Sequence, residues 1–435
     1  MKDLSLADKK IVVVGMGLTG LSCVRFLKAR GAQVIAMDSR SELALNIDVP
    51  LLLGDFDGNR LNKADLIVLS PGIDVHLPVL QAAIKSGVQV IGDIELFAQF
   101  NDTPVIAITG SNGKSTVTHL VVNMCKAAGK KVLMGGNIGI PVLDLIEQAA
   151  DVIVLELSSF QLETTFSLAP LAATVLNVTE DHLDRHGDLE AYQQIKLSIY
   201  KNAENGVCNR DDILSYPVNY KPAMSFGSSF SLEGFSWDKS NNCILLDQQA
   251  YLYADSCLLV GEHNMVNIQA AAALAKVAGI DDESIKQGAR EFGGLPHRCQ
   301  TVSIDKGIRW INDSKATNVG ATLAAINGLM SDVKGNLILI AGGEGKGADF
   351  ALLNECINES VDVLITLGKD GNKIKGENVK SYSVATIEEA VKKAAQLAVS
   401  GDTVLLSPAC ASLDMFVSYQ QRGDCFRDAV KELSL

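Results

Sequence analysis

The chain of 435 residues has no C-x-x-C pair, no excess of basic residues, no apolar run long enough to span a membrane and no low-complexity tract. Its nine cysteines are scattered, at positions such as Cys23, Cys125, Cys208, Cys299 and Cys410. Neither a zinc site nor a redox pair is suggested, and an odd count in a large chain fits reduced, mostly buried thiols of a cytoplasmic protein. Acidic residues outnumber basic ones, 51 to 38, for a formal charge of -13. Phosphate backbones attract basic surfaces, so no nucleic-acid partner is expected. Small anions held in a local amide-rich pocket stay open. The N-terminal "MKDLSLADKK" runs straight into "IVVVG", which is short and ends in a glycine turn. It reads as a first strand and not as a signal peptide, and no membrane association is expected.

What is present is one pattern started three times. The length predicts two or three domains. Ile11 to Val14, Gln33 to Met37, "DLIVLSPGI" and "VQVIGD" read as buried strands, with a helix over Leu18 to Ala29. Continuous apolar strands alternating with helices mean a parallel α/β sheet. The pattern restarts at "TPVIAITG", a helix over Ser115 to Ala128, "DVIVLELSSFQLE" and "AATVLNVTEDH". From Val207 to Leu259 the helix pattern thins, and short antiparallel strands attached to the central sheet are expected. A helix resumes at "HNMVNIQAAAALAKVAG". After "GGLPHRCQ" come "GIRWIND", "NLILIAGG", "VDVLITLG" and "DTVLLSPA". The fold class is therefore α/β in three domains: a Rossmann-like one over 1–93, a P-loop ATPase-like one over 94–295 with a parallel sheet plus a small antiparallel sheet, and a second Rossmann-like one over 296–435.

Two glycine signatures carry chemistry. "ITGSNGKST" resembles the phosphate loop G-x-x-x-x-G-K-[ST], yet the first glycine of that motif falls on Ile108. Strand, glycine loop and helix still follow in the order a phosphate cradle needs. Gly110 and Gly113 let backbone approach a polyphosphate, and amides of Ser111 and Asn112 and the helix start face its charge. Lys114 adds a point charge, and the hydroxyls of Ser115 and Thr116 are placed to reach Mg²⁺. Glu156 and His182 stand past the carboxyl ends of two strands, where ligands gather. The second signature, "GMGLTG" over Gly15 to Gly20, follows a strand, and Asp38 ends the next one. Alone it suggests a dinucleotide cofactor and a nicotinamide-dependent dehydrogenase. That reading leaves "GSNGKST" unexplained. A P-loop switch or motor would leave the first domain idle.

"TGSNGKST", "ELSSFQLE", "NVTEDHLDRHG", "GEHNMVNIQAA", "PHRCQ", "INDSKATN", "AGGEGKGADF" and "LSPACASLDMF" occur in the order found in bacterial Mur ligases, and the resemblance covers essentially the whole chain. The central loop alone would also admit a folylpolyglutamate synthetase-like ligase, which has no reason for a uridine-binding first domain. "GGEGKGADF" and "SPACASLD" point to the branch that adds D-glutamate. The Asp-Asn-Pro-Arg motif of the diaminopimelate-adding relative is absent.

The resemblance implies an ATP-dependent amide ligase that works through an acyl phosphate and takes UDP-N-acetylmuramoyl-L-alanine and D-glutamate, as a cytoplasmic monomer in peptidoglycan precursor synthesis. It implies two Mg²⁺ sites, with Ser115 and Glu156 on one and His182 on the other. A carbamylated lysine at Lys196, in "AYQQIKLSIY", would bridge the second; read alone, Lys196 is an ordinary helix lysine. Asn264 and Asn267, three apart on one helix face, match adenine-side residues. Arg298, Asp313 and Lys315 match phosphate and ribose contacts. Leu18, Thr19, Asp38, Ser39, Gly72 and Ile73 would hold uridine in place of a nicotinamide cofactor. Asn137, Ser158 and Gln161 would guide the sugar and alanine end. Thr317, Lys346, Ser412 and Leu413 match D-glutamate contacts, with His297 beside them. Tyr419 stands where the family usually has Phe.

Overall fold

The computed structural model describes residues 5–179, 182–217, 221–259, 261–330 and 333–433. The chain divides into two compact units, Met1–Ala254 with Met265–Ala289, and Asp255–Asn264 with Arg290–Leu435.

The first unit holds two parallel sheets and a small antiparallel one. In the five-stranded sheet, Lys10–Val14 lies centrally between Gln33–Asp38 and Leu66–Leu69, with Leu51–Leu53 and Gln89–Gly92 at the edges. The glycine turn after Lys10–Val14 leads into the helix Leu18–Ala29, as the sequence predicts. The six-stranded sheet runs Met224–Phe226, Asn205–Asn209, Ala172–Val175, Val105–Thr109, Val152–Glu156, Val132–Gly136, all parallel. Val105–Thr109 is buried throughout, because it is covered on both faces and flanked on both edges. Ile108 is therefore a strand residue, 0% exposed. The following helix Lys114–Ala127 turns Val117, Leu120, Val121 and Met124 inward, at helical spacing. Beyond Ala172–Val175, Glu180 and Asp181 lie outside the described residues.

The stretch from Val207 to Leu259 differs from expectation. Its first strands, Asn205–Asn209 and Met224–Phe226, are parallel and extend the central sheet. Only Phe235–Asp238, Cys243–Leu246 and Gln249–Tyr253 are antiparallel, and they form a sheet of their own. Asn205–Asn209 is buried beyond its first residue, as a strand flanked on both sides must be. Strand direction is set by partners distant in sequence, which local composition does not report.

One apolar cluster serves both parallel sheets of this unit. It joins Val13, Leu27 and Phe97 to Leu145, Leu157 and Cys208. Polar ties reinforce it: Ser22 Oγ donates to Asp144 at 2.8 Å, and Glu95 accepts from the amides of Phe166 and Ser167 at 2.7 and 2.8 Å.

The second unit is a six-stranded sheet ordered Gln300–Asp305, Ile308–Asn312, Thr403–Leu406, Leu337–Gly342, Val363–Leu367, Lys380–Ser383. The first pair is antiparallel and the rest parallel. Separate apolar clusters cover its two faces. The four inner strands are those the sequence predicts. The two edge strands are half-exposed and lack the continuous apolar run.

Candidate active site

The loop after Val105–Thr109 is shaped by its glycines. Gly110 has φ +154° and Gly113 φ +83°. A Cβ on Gly113 would stand 2.7 Å from Asn267 Oδ1, and one on Gly110 3.0 Å from Leu176 Cβ. The loop is a cradle that side chains would fill. The segment after Ala172–Val175 holds it by side chain and backbone: Asn112 N donates to Asn177 Oδ1 at 2.8 Å, and Ser111 Oγ donates to the Thr179 carbonyl at 3.0 Å. Lys114 Nζ curls over the loop, 2.8 Å from the Gly110 carbonyl and 2.9 Å from that of Ser111. Thr116 is half-buried in the first helical turn.

Ser115 Oγ donates to Glu156 Oε2 at 2.7 Å, and Asn137 Nδ2 donates to Oε1 at 2.7 Å. Parallel pairing of Ile108 with Glu156 sets this meeting. Glu156 is 1% exposed, so its carboxylate is fixed by two donors. Lys196, on the helix Leu189–Leu197, is equally buried. Its Nζ lies 2.9 Å from the Gly110 carbonyl, 3.5 Å from Thr109 Oγ1 and 4.5 Å from the Tyr192 ring centroid. It is not a surface lysine. His182 is exposed with φ +52°, its ring 4.9 Å from that of Phe160. Asn264 sits one turn before Asn267 on the helix Glu262–Val277.

A cavity of about 430 Å³ opens at the first glycine turn and reaches Asn137. Gly15, Thr19, Asp38, Ser39, Gly72, Ile73, Asn137 and Gln161 are among the residues that line it. Asp38 accepts from Met16 N at 2.7 Å, from Arg40 N at 3.0 Å and twice from the Arg40 guanidinium, at 2.7 and 2.8 Å. The Arg40 guanidinium holds that carboxyl far below the usual carboxylate range. Leu18 and Ser158 are not in the lining. Leu18 is 79% exposed, and Ser158 caps the turn Ser159–Leu162 in a reciprocal pair with Gln161. Asn137 belongs to both places: it lines the cavity and holds Glu156.

In the second unit, the "GGEGKG" and "SPACAS" loops pair through backbone bonds of 3.0 Å between Glu344 and Ala411. This sets Lys346, exposed with φ +51°, and Ser412, buried, on paired loops. Leu413 is exposed. Asp313 accepts from Ser407 Oγ at 2.8 Å and Cys299 N at 3.1 Å, and burial raises its pKa to about 6. His297, φ +61°, meets Asn312 Nδ2 at 3.2 Å, and burial holds its pKa below the usual imidazole value. Tyr419 draws His297 and Lys315 together, with its ring 6.1 Å from the imidazole and 6.0 Å from Lys315 Nζ. Thr317 is half-buried, and Arg298 is exposed.

Sequence reasoning missed several side chains that support these residues. Tyr192 lies under Lys196, four positions before it, which is a spacing that places both on one helix face. Arg40 stands two residues after Asp38. Arg422, 1% exposed, ties Ser314 to the Cys410 carbonyl by bonds of 2.8 to 3.1 Å. No motif announces it.

Among the described residues no group of three His, Cys, Asp or Glu side chains could hold a metal ion. Mg²⁺ needs no such cage, since it is commonly held by one or two carboxylates, a hydroxyl and substrate phosphates. The Ser115 and Glu156 oxygens, meeting beside the cradle, fit that requirement.

Family models match the chain in three places: Mur ligase MurD-like, N-terminal domain, over 9–92; Mur ligase middle domain over 108–275; and Mur ligase, glutamate ligase domain, over 297–410. The UDP-N-acetylmuramoylalanine–D-glutamate ligase of Pasteurella multocida is 49% identical over 431 residues, covering 98% of this chain and 99% of that protein. The protein of that name from Shewanella oneidensis is 49% identical over 432 residues, covering 97% and 98%. Among solved structures, a UDP-N-acetylmuramoyl-L-alanyl-D-glutamate–2,6-diaminopimelate ligase aligns with TM-score 0.59 at 17% identity, over 90% of this chain and 98% of that one. At that identity it speaks for the fold.

Proposed function

The chain belongs to the Mur ligase family, and from that premise we propose that it joins D-glutamate to UDP-N-acetylmuramoyl-L-alanine with cleavage of ATP. The alanine carboxylate takes the γ-phosphoryl group, releasing ADP. The D-glutamate amine then attacks the acyl carbon. A C–N bond forms, the C–O bond to phosphate breaks, the amine loses a proton and inorganic phosphate leaves.

The observation that carries this reading is the double role of Asn137, on the cavity wall and on the carboxylate that meets Ser115. A sugar nucleotide in the cavity would have its acyl end directed toward the phosphate loop. Phosphoryl transfer depends on positioning and on neutralising oxygen charge. The loop amides and Lys114 supply donors there, preorganised by the fold. Bound Mg²⁺ would neutralise phosphate oxygens. Ser115 and Glu156 would hold one ion, with His182 and a carbamylated Lys196 serving a second. Carbamylation turns an amine into an anionic oxygen donor, and the burial of Lys196 against the loop supports that role.

In this reading residues 1–93 bind uridine in a Rossmann-like cradle and 94–295 bind ATP. Residues 296–435 bind D-glutamate through Lys346, Thr317 and Ser412. The protein works as a monomer in the cytoplasm. The test is phosphate release from ATP by the whole chain. Release that requires both UDP-N-acetylmuramoyl-L-alanine and D-glutamate is expected; release that ignores either one overturns the reading.

A further inference from the structure

A charged cluster lies between the cavity and the His182 turn, and the chemistry above does not use it. Arg185 grips Glu163 with both ends of its guanidinium, Nη1 to Oε1 at 3.1 Å and Nη2 to Oε2 at 2.6 Å. The same Nη1 reaches Asp74 Oδ1 at 3.2 Å, and His76 Nε2 stands 3.2 Å from Glu163 Oε1. The Arg185 and Glu163 side chains are 14% and 11% exposed. A half-solvated pair would contribute little. This one is largely withdrawn from water and bidentate, a geometry that only arginine supplies.

Each partner leads to a different part of the site. Asp74 directly follows Gly72 and Ile73 of the cavity lining. Glu163 ends the turn Ser159–Leu162, which carries Gln161 into the cavity. Arg185 N donates to the His182 carbonyl at 3.0 Å. The guanidinium also lies 5.7 Å from the Phe160 ring, against which His182 packs. One cation therefore fixes the cavity loop, the Gln161 turn and the His182 turn together.

We propose that Arg185 is a positioning residue that couples the two sites, so that a ligand pressing on Gly72 and Ile73 stabilises the His182 turn, and the reverse. The ligands are those of the function proposed above, on which this inference rests. Such coupling is reciprocal, and each ligand must tighten the other by one factor. Without Arg185 the segments keep only pairwise ties, His76 Nε2 to Glu163 Oε1 at 3.2 Å and His186 Nε2 to Ser159 Oγ at 2.9 Å, and no single group spans all three.

The test is calorimetric titration of the whole chain with UDP-N-acetylmuramoyl-L-alanine, with and without a non-hydrolysable ATP analogue and Mg²⁺. In the unaltered protein the analogue is expected to tighten the sugar nucleotide by about tenfold. Asp74→Asn, at a half-exposed position, is expected to bring that factor close to one while each ligand alone binds within about threefold of its usual affinity. Arg185→Lys, which keeps the charge and loses the fork, should lose most of the factor. A merely structural role would lower the binding-competent fraction and leave the ratio of affinities intact. An unaltered protein with no coupling, or an Asp74→Asn variant with full coupling, overturns the inference. A sugar nucleotide that does not bind at all overturns the function it rests on as well.

Discussion

Replacing Lys196 by methionine removes one buried amine and, with it, the carbamate proposed to form there. Lys196 is 1% exposed, and its nitrogen meets the Gly110 carbonyl, Thr109 Oγ1 and the Tyr192 face. Withdrawing an ammonium from water costs several kcal/mol. A charge-assisted hydrogen bond returns about 1.5–3 kcal/mol and a desolvated cation–π contact about 2 kcal/mol. The terms nearly cancel. Methionine keeps most of the apolar stem, and neither oxygen near the nitrogen is left without a bond: the Gly110 carbonyl still accepts from Lys114 Nζ at 2.8 Å and Thr109 Oγ1 donates to the Leu157 carbonyl at 2.7 Å. Stability should therefore change by no more than about 1 kcal/mol, a shift of about 1–2 °C in Tm. Loss of the carbamate oxygens that would help hold a Mg²⁺ ion beside the phosphate should cut turnover by about 100-fold or more. Phosphate release with both substrates, beside a thermal melt, reads the two effects separately. A carbamate signal in ¹³C NMR after ¹³C-bicarbonate should be present in the unaltered protein and absent in the variant. Turnover within fivefold at unchanged Tm would refute the reasoning, and so would a collapse of Tm, which would make Lys196 a packing residue.

Gly113→Ala places a methyl 2.7 Å from Asn267 Oδ1 at φ +83°, a conformation costing an L residue about 1–2 kcal/mol. The KM for ATP should rise about tenfold while calorimetric affinity for the sugar nucleotide stays constant; equal losses would contradict it. Lys346→Ala should raise the KM for D-glutamate by about tenfold and that for ATP by less than about twofold. Matching rises would remove Lys346 from the D-glutamate site. Asp93 is fully buried, with one carboxyl oxygen unpartnered, and burial raises its pKa from 3.8 to about 6. The folded state thus holds that proton to higher pH than the unfolded one, and stability falls as pH rises from about 4 to about 6. Above that window the loss is about 3 kcal/mol. Asp93→Asn should melt higher than the unaltered chain at pH 7.5 and equally at pH 4; a lower melt at both would refute this.

Strands buried on both faces, such as Lys10–Val14 and Val105–Thr109, were legible because each needs an unbroken apolar run. Lys380–Ser383, an exposed edge, carries no such run. The parallel direction of Asn205–Asn209 depends on Ala172–Val175, more than 30 positions earlier in the chain. In the site, the glycine loop and Glu156 could be read because strand, turn and helix are local. The bond from Ser115 to Glu156 spans 41 positions and rests on strand register. Arg185 and Arg422 left no trace, since their partners lie up to 111 and 108 positions away. Lys196 was bland in its own helix. Its burial follows from where that helix packs.

The apolar cluster that joins the first two parallel sheets has an evolutionary consequence. It runs without a break from Leu6 through Phe97 and Leu157 to Cys208, across the boundary where family models divide the chain. A recombination event that swapped only the nucleotide-holding segment between relatives would leave unmatched apolar surface on both sides of the junction. New substrate preference on this scaffold is thus gained more readily by point changes around the cavity than by module exchange.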